Sequence, residues 1–420
     1  MSTNSSVLSS KHLVLGVTGS ISAYKSVYLL RELLRRRAEV TPVLTEDAKR
    51  FVGMLTFEAL SGKRLAKDLW SGEEPLAHTV LSKSADALLI APATATILAK
   101  AAAGIADDLL SAVILSTSAP VVMIPAMHTE MWENHATRHN VEVLRSRGVT
   151  VMEPSWGELA GFDEGPGRLP EIEDIVYLTE LVVERANNAA FPFSTTPDKE
   201  LDGIFAVVTA GGTREPIDAV RYVGNRSSGK MGHALAREAW LRGANVTLVT
   251  TVPLEAERRR LDQVKVETAH EMRDAVLAAA PSADVVVMAA AVADFRPKEP
   301  VANKIKKEVG LDAVAFEPNP DILEELAQLR KKGELGTRLL VGFAAETGEL
   351  DENARMKLER KDLDVIVAND VSRKGSGFGS ETNEATIITR DGLTENLPLM
   401  PKAALARIIW DRLAVRLRDL

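Results

Sequence analysis

Cysteine is absent from the 420 residues. Disulfides, thiolate metal sites and a cysteine nucleophile are therefore excluded in any compartment. A surplus of positive charge is missing too: the net charge of −8 and pI near 5.6 argue against a nucleic-acid partner and for small molecules. No apolar run approaches the ~20 residues that cross a bilayer. The opening MSTNSSVLSS lacks a basic n-region followed by an apolar core, so residues 1–10 are expected to be a mobile tail, and the protein to be cytoplasmic. Two phosphate motifs are also absent. Neither GxGxxG nor GxxxxGK[ST] occurs, so a regular dinucleotide fingerprint and a P-loop kinase are both unsupported.

What is present reads as two α/β domains. A chain of 420 residues exceeds the usual size of one core, and apolar (45%) and charged (26%) fractions are ordinary for a globular protein. In the first half, continuous apolar runs predict parallel strands at 12–17, 39–44, 87–91, 121–124 and 149–152. A helix after the first strand should bury Ile21, Tyr24, Val27, Leu30 and Leu34, and Leu178 to Ala186 should close the domain. Asn187 to Gly203 breaks all periodicity, so the boundary falls there: a first domain over 11–188, a linker over 189–202 and a second domain over 203–420. Strands at 204–208, 246–250, 285–288, 339–343 and 365–368 repeat the plan. The expected fold is two doubly wound parallel sheets, the first flavodoxin-like and the second Rossmann-like.

The stretch AVVTAGGTREPIDAVRYVGNRSSGKMGHA, from Ala206, carries the strongest chemical signal. An apolar strand stops at Gly211 and Gly212, a polar loop with Asn225, Arg226, Ser227, Ser228 and Lys230 follows, and helical periodicity resumes at Met231. Helix-start amides beside glycines form an anion site. Thr18-Gly19-Ser20 repeats the design after the first strand, as a phosphate cradle or a plain capped turn; a mononucleotide such as FMN fits a flavodoxin-like crevice. Thr94, after Ala91, faces a ligand or caps the next helix. His128 follows another strand end and holds a carboxylate or merely caps; His78 on a helix is structural unless a flavin lies in reach. Gly157 to Arg168 is a Gly-rich loop, serving as a lid or as ordinary surface. Asp294, after a run of alanines, is placed for a ribose or base. Lys304, Lys306 and Lys307 form a solvated face or answer a polyphosphate.

Together these motifs resemble the bacterial bifunctional phosphopantothenoylcysteine decarboxylase and phosphopantothenate-cysteine ligase of coenzyme A biosynthesis. GSISAYK, APATA, PAM with MW, and GPGR look like the flavin-dependent half; TAGGTREPID, NRSSGKMG, AAVADFRP, KIKK and GFAAET look like the ligase half. The resemblance implies CTP, with Mg²⁺ on its triphosphate, attacked by the phosphopantothenate carboxylate to give an acyl-cytidylate that cysteine converts to the amide. Lys304 would assist the first step and Asn225 the second. Met288, Ala289, Ala290, Asp294, Lys304, Asn319, Pro320, Asp321, Ile322, Phe343, Lys357 and Lys361 match the family's CTP positions. Gly212, Asn225, Arg226, Ser227, Ser228 and Lys230 are expected on the acid substrate. FMN would lie on Gly19, Ser20, Thr45, Ala91 and Thr94, with His78 and His128 as catalytic residues, in flavin sites shared between subunits of a homo-oligomer.

Two departures stand out. The family's usual Asn after PAM is His128 here, and its usual Ala-Cys-Gly before GPGR reads Ala160-Gly161-Phe162. The resemblance makes that cysteine the residue that protonates or helps reduce the enethiolate, so another group or water takes the step, or this half is slow. The alternatives are a ligase carrying a catalytically silent FMN-binding module and an NAD(P)-dependent reductase, the latter disfavoured by the missing GxGxxG.

Overall fold

Apolar runs too continuous for a sheet with one wet face dictate what is seen in both halves. The computed structural model describes residues 6–66, 69, 76–186, 197–254, 258–306, 314–346, 350–370 and 379–419. Two compact units divide the chain: Met1–Glu200 with Ala256–Arg259, and Leu201–Glu255 with Arg260–Leu420. Most of the expected linker, and Lys307, lie outside the described residues. Within the expected tail, Ser6 to Ser10 are described and Leu8 is fully buried.

In the first unit β1 (His12–Val17), β2 (Glu39–Leu44), β3 (Ala87–Ala93), β4 (Val121–Pro125) and β5 (Thr150–Val151) form a sheet in the order β2-β1-β3-β4-β5. Every pairing is parallel. Each residue of β3 is buried, as a central strand covered on both faces requires. Leu88, Ile90, Met123 and Trp132 join one core cluster. Strand order reverses between β1 and β3, so a crevice opens at their carboxyl ends.

Two local expectations are corrected. After β1 the chain makes a 3-10 turn at Ile21–Tyr24 before the α-helix Lys25–Arg35, whose buried face is Ser26, Leu29, Leu30 and Leu33. The tighter turn rotates the stripe, leaving Ile21 and Tyr24 exposed. Gly157 to Arg168 is not a structureless loop: β6 (Ser155–Glu158) and β7 (Glu164–Arg168) form an antiparallel hairpin. Its glycines serve contact. A Cβ on Gly167 would stand 2.2 Å from the Met127 carbonyl oxygen, and one on Gly165 would stand 2.2 Å from Thr129 Oγ1.

The second unit contains β8 (Phe205–Ala210), β9 (Arg214–Pro216), β10 (Tyr222–Gly224), β11 (Asn245–Thr250), β12 (Leu261–Lys265), β13 (Val285–Met288), β14 (Phe295–Pro297), β15 (Phe316–Pro318), β16 (Leu339–Glu346), β17 (Val365–Asp370), β18 (Thr382–Thr389) and β19 (Thr394–Pro401). Its main sheet runs β12-β11-β8-β13-β16-β17-β18-β19. The first six are parallel, in Rossmann-like order, and β18 and β19 add an antiparallel edge. That edge pair went unread in the sequence, as did the small pairs β9-β10 and β14-β15. The switch point lies between β8 and β13. No described helix is long and apolar enough to cross a membrane.

Candidate active sites

At the first unit's switch point, a cavity of about 590 Å³ is lined by Gly19 and Ser20 after β1, Thr94 after β3 and Met127 and His128 after β4. The β6-β7 hairpin closes one side with Glu158, Leu159 and Arg168. Gly19 is required where it stands, since a Cβ there would meet Asp47 Cβ at 2.4 Å. Ser20 caps the 3-10 turn, accepting from the Ser22 N–H at 3.4 Å, and its hydroxyl donates to the Ala126 carbonyl at 3.3 Å. Thr94 occupies the N-cap position of helix Ala95–Ala103, yet its hydroxyl makes no capping hydrogen bond; the backbone N–H of Thr94 donates to Thr18 Oγ1 at 3.1 Å instead. Lys25, also in the lining, has its ammonium pKa lowered by burial first, with Arg168 adding and Glu171 opposing. Apolar walls with a few convergent polar groups suit a ring carrying a phosphate, so these residues fit a flavin mononucleotide.

Three of the sequence candidates stand outside that lining. Ala91 is buried, its carbonyl accepting from Ser26 at 2.6 Å. Thr45 caps Glu46–Lys49, accepting from the Ala48 N–H at 3.2 Å. His78 sits on helix Ala77–Ser84, and its Nδ1 is buried with no hydrogen-bond partner.

His128 is half exposed and lies between two carboxylates. Its Nδ1 is hydrogen-bonded to Glu130, and its Nε2 is 3.4 Å from Asp163 Oδ1. The Glu130 hydrogen bond, then the Asp163 charge, raises the imidazole pKa. The three side chains present ligand atoms within 4.8 Å of one another. All are exposed, and the ring already engages both carboxylates, an arrangement that favours a proton-bearing imidazole between two anions. Glu130 and Asp163 went unread in the sequence; their only signal was closeness to the two departures from the family motifs.

The second unit's cavity, about 400 Å³, gathers far more of the expected residues. Asn225, Ser227, Ser228 and Lys230 enter from the loop after β10 and the start of helix Lys230–Leu241, Met288 to Asp294 from the end of β13, Asn319 to Ile322 from the start of helix Ile322–Lys331, and Phe343, Lys357 and Lys361 from β16 and beyond. Gly229, left-handed at φ 76°, forms the helix N-cap with no side-chain cap, so the first amides are left for an anion. Asn225 Nδ2 donates to the Val292 carbonyl at 3.1 Å, tying the loop to the β13 end. Gly212 does not line the cavity; a Cβ on it would lie 2.6 Å from the Asn225 carbonyl oxygen, so the glycine lets that loop fold back. Asn319 Nδ2 donates to the Ala293 carbonyl at 2.8 Å, and Asp321 both caps its helix and holds Lys361 at 2.8 Å.

Arg226 and Lys304 are exposed and outside this lining. Lys304 precedes Ile305, whose N–H donates to Asp218 at 3.1 Å, while Arg221 grips the same carboxylate. Arg221 first, then the backbone N–H groups, hold Asp218 below the usual carboxylate range despite a burial penalty. Sequence reasoning missed Lys402, which is buried in the cavity wall. Burial first, then Lys230, lowers its pKa, and Glu381 opposes.

Two doubly wound domains, each with a cavity at its switch point and the first shaped for a flavin, define a two-part flavoprotein enzyme. Residues 1–184 match the family described as Flavoprotein, and residues 201–416 match the DNA/pantothenate metabolism flavoprotein C-terminal domain. The chain is 45% identical over 409 residues to the coenzyme A biosynthesis bifunctional protein CoaBC of Mycobacterium bovis, covering 96% of each. Among solved structures, it is similar to the C-terminal domain of a CoaBC protein (37% identity, 53% of this chain and 100% of that one, TM-score 0.44). It is also similar to the FMN-dependent cysteine decarboxylase SpaF (34% identity, 43% and 99%, TM-score 0.38). The chain belongs to the bifunctional coenzyme A biosynthesis proteins, with a flavoprotein decarboxylase domain and a ligase domain.

Proposed function

We propose that residues 203–420 join phosphopantothenate to cysteine at the expense of CTP, and that residues 11–188 decarboxylate the product to phosphopantetheine with FMN. The observation that carries this reading is the convergence of Asn225, Asp294, Asn319, Phe343, Lys357 and Lys361 on one switch-point cavity beside an uncapped helix start. Lysines and helix amides offset negative charge that grows on the triphosphate as the substrate carboxylate attacks the α-phosphorus. Mg²⁺, if bound with the triphosphate, would neutralise further leaving-group charge. Asn225, anchored through its amide nitrogen, stands at the same mouth to position the acyl-cytidylate for the cysteine amine. Lys304 reaches the nucleotide by its flexible stem, from a segment tethered at Asp218.

In the first unit Gly19, Ser20, Thr94 and Lys25 hold FMN, whose chemistry is to accept and return the electrons that let the carboxylate leave. His128 binds the substrate carboxylate. His78 acts across subunits: its orphaned Nδ1 lies outside its own chain's cavity, and exposed Ile21, Tyr24 and Tyr28 beside the cradle support flavin sites shared in a homo-oligomer. In the second unit, exposed Tyr222, Phe295 and Phe316 support the same association.

The test is one assay of purified protein, checked for FMN absorbance, with phosphopantothenate, cysteine, Mg²⁺ and either CTP or ATP, following pyrophosphate and carbon dioxide together. CTP-dependent release of both is expected. Pyrophosphate without carbon dioxide would instead establish a ligase with a silent flavin module.

A further inference from the structure

Decarboxylation leaves an electron pair on carbon, and some group must supply the proton that replaces carbon dioxide. Among the described residues lining the first cavity, few can do so. Tyr24, Lys25, Glu158 and Arg168 are the titratable side chains there other than His128. An imidazolium is the group whose ordinary range spans neutral pH.

The geometry around His128 is built for that state. Glu130 holds Nδ1 and so sets the ring's orientation. Nε2 faces the hairpin tip, where Asp163 stands at 3.4 Å, close enough to stabilise charge and too far to trap the N–H in a strong hydrogen bond. The tip itself is braced: the Leu159 N–H donates to the Asp163 carbonyl at 2.8 Å and the Phe162 N–H to the Leu159 carbonyl at 3.0 Å. Gly161 makes the arrangement possible. A Cβ there would stand 2.7 Å from Asp163 Oδ1 and 3.4 Å from His128 Nε2, so a larger residue displaces the carboxylate from the ring. The space that a side chain at 161 would fill is taken by the histidine-carboxylate pair.

We propose that His128 is the proton donor of the decarboxylation, with Glu130 and Asp163 as positioning residues that hold its ring and its charge. The inference rests on reading this cavity as the decarboxylase site. With the thiol carbon two electrons oxidised, electrons that bound FMN would hold and return, the carbon–carboxylate bond breaks, carbon dioxide leaves and its electron pair enters the carbon–carbon bond of an enethiolate, nucleophilic at the carbon next to the amide nitrogen. The Nε2–H bond then breaks; its proton forms the new C–H bond and its electrons remain on the ring. Half-exposed His128 regains a proton from solvent, and no net oxidation occurs over the cycle. Glu130 first, then Asp163, raises the imidazole pKa, which favours the proton-bearing ring. Glu158, Lys25, Arg168 and Tyr24 complete the titratable surroundings.

The test uses full-length, flavin-loaded protein with ¹⁵N-labelled histidine. In an NMR titration, Asp163→Asn and Glu130→Gln should each lower the His128 midpoint, and Gly161→Ala should do so by displacing Asp163. His128→Asn should cut formation of saturated product 10²–10⁴-fold, in the range of lost acid catalysis, and accumulate the unsaturated thiol. Flavin absorbance and CTP-dependent pyrophosphate release should stay within twofold. In deuterated solvent the wild-type product should carry deuterium beside the amide nitrogen. Saturated product from His128→Asn within twofold of wild type, or a His128 midpoint unmoved by both carboxylate variants, overturns the proposal. A wild type that neither retains flavin nor releases carbon dioxide would instead overturn the site reading on which it rests.

Discussion

Gly232 stands in the first turn of helix Lys230–Leu241, where a Cβ would meet the Thr209 carbonyl oxygen at 2.4 Å and Ala210 Cβ at 2.6 Å. Both neighbours belong to β8, so neither can rotate away as a flexible side-chain tip would. Alanine at a helical position gains up to ~1 kcal/mol over glycine, but forcing a methyl against backbone costs ~1–3 kcal/mol. Gly232→Ala should therefore destabilise the protein by ~1–2 kcal/mol and prise the uncapped helix start from the strand end. A lower urea midpoint together with weakened CTP-dependent pyrophosphate release, at unchanged flavin absorbance, is the expected pair of results. Motif reading marked the SSGKMG run as an anion loop; that its last glycine serves packing is visible only once the helix lies on β8.

The helix that presents those amides is fixed by ions away from solvent. Arg242 and Glu238 are both fully buried; the guanidinium donates to Glu238 at 2.7 and 2.8 Å and pairs with Asp411 at 2.8 Å. Arg407 approaches the same carboxylate at 3.7 Å, and Trp410 Nε1 donates to the Leu235 carbonyl at 2.9 Å. The C-terminal helix Lys402–Asp419 is thereby locked to Lys230–Leu241, which sets Lys402 beside Lys230 in the cavity wall. Removing one member of a buried ionic network strands the others without water. Glu238→Gln should lose ~3 kcal/mol in urea unfolding, whereas an exposed pair such as Arg35 with Glu32 should contribute under ~1 kcal/mol. A loss below ~1 kcal/mol from Glu238→Gln would show that the helix pair is held by apolar packing alone.

Across the whole molecule, carboxylates with depressed pKa values dominate the acid response. Asp218 is held down first by Arg221, Asp391 first by Thr389 and then Arg416, and Glu395 first by Arg412. Each binds fewer protons folded than unfolded, so its contribution is complete above the unfolded value near ~4 and is lost as pH falls through the folded value. His128 has the opposite sign: its raised pKa contributes fully below ~6.5 and is lost as pH rises through the folded value. The urea midpoint should therefore fall steeply from pH 5 to 3, and Asp218→Asn should flatten that slope. An unaltered slope in the variant would remove Asp218 from the acid response.

The sequence by itself determined the two doubly wound domains, because strands buried on both faces must be continuously apolar and glycine-rich strand ends must open onto helices. It also marked most of the second cavity, since residues in one loop or one helix start travel together wherever the element goes. Only the tertiary structure decided the rest. The rotated face of the first helix depends on a 3-10 turn, and the β6-β7 hairpin on glycines packed against residues from another element. The pairing of His128 with Asp163, far along the chain, depends on how that hairpin folds over β4. Lys402 joins the cavity by the same logic, through helix contacts that no local pattern encodes. Contacts between distant segments are chosen by packing, and periodicity reports only the residues that share an element.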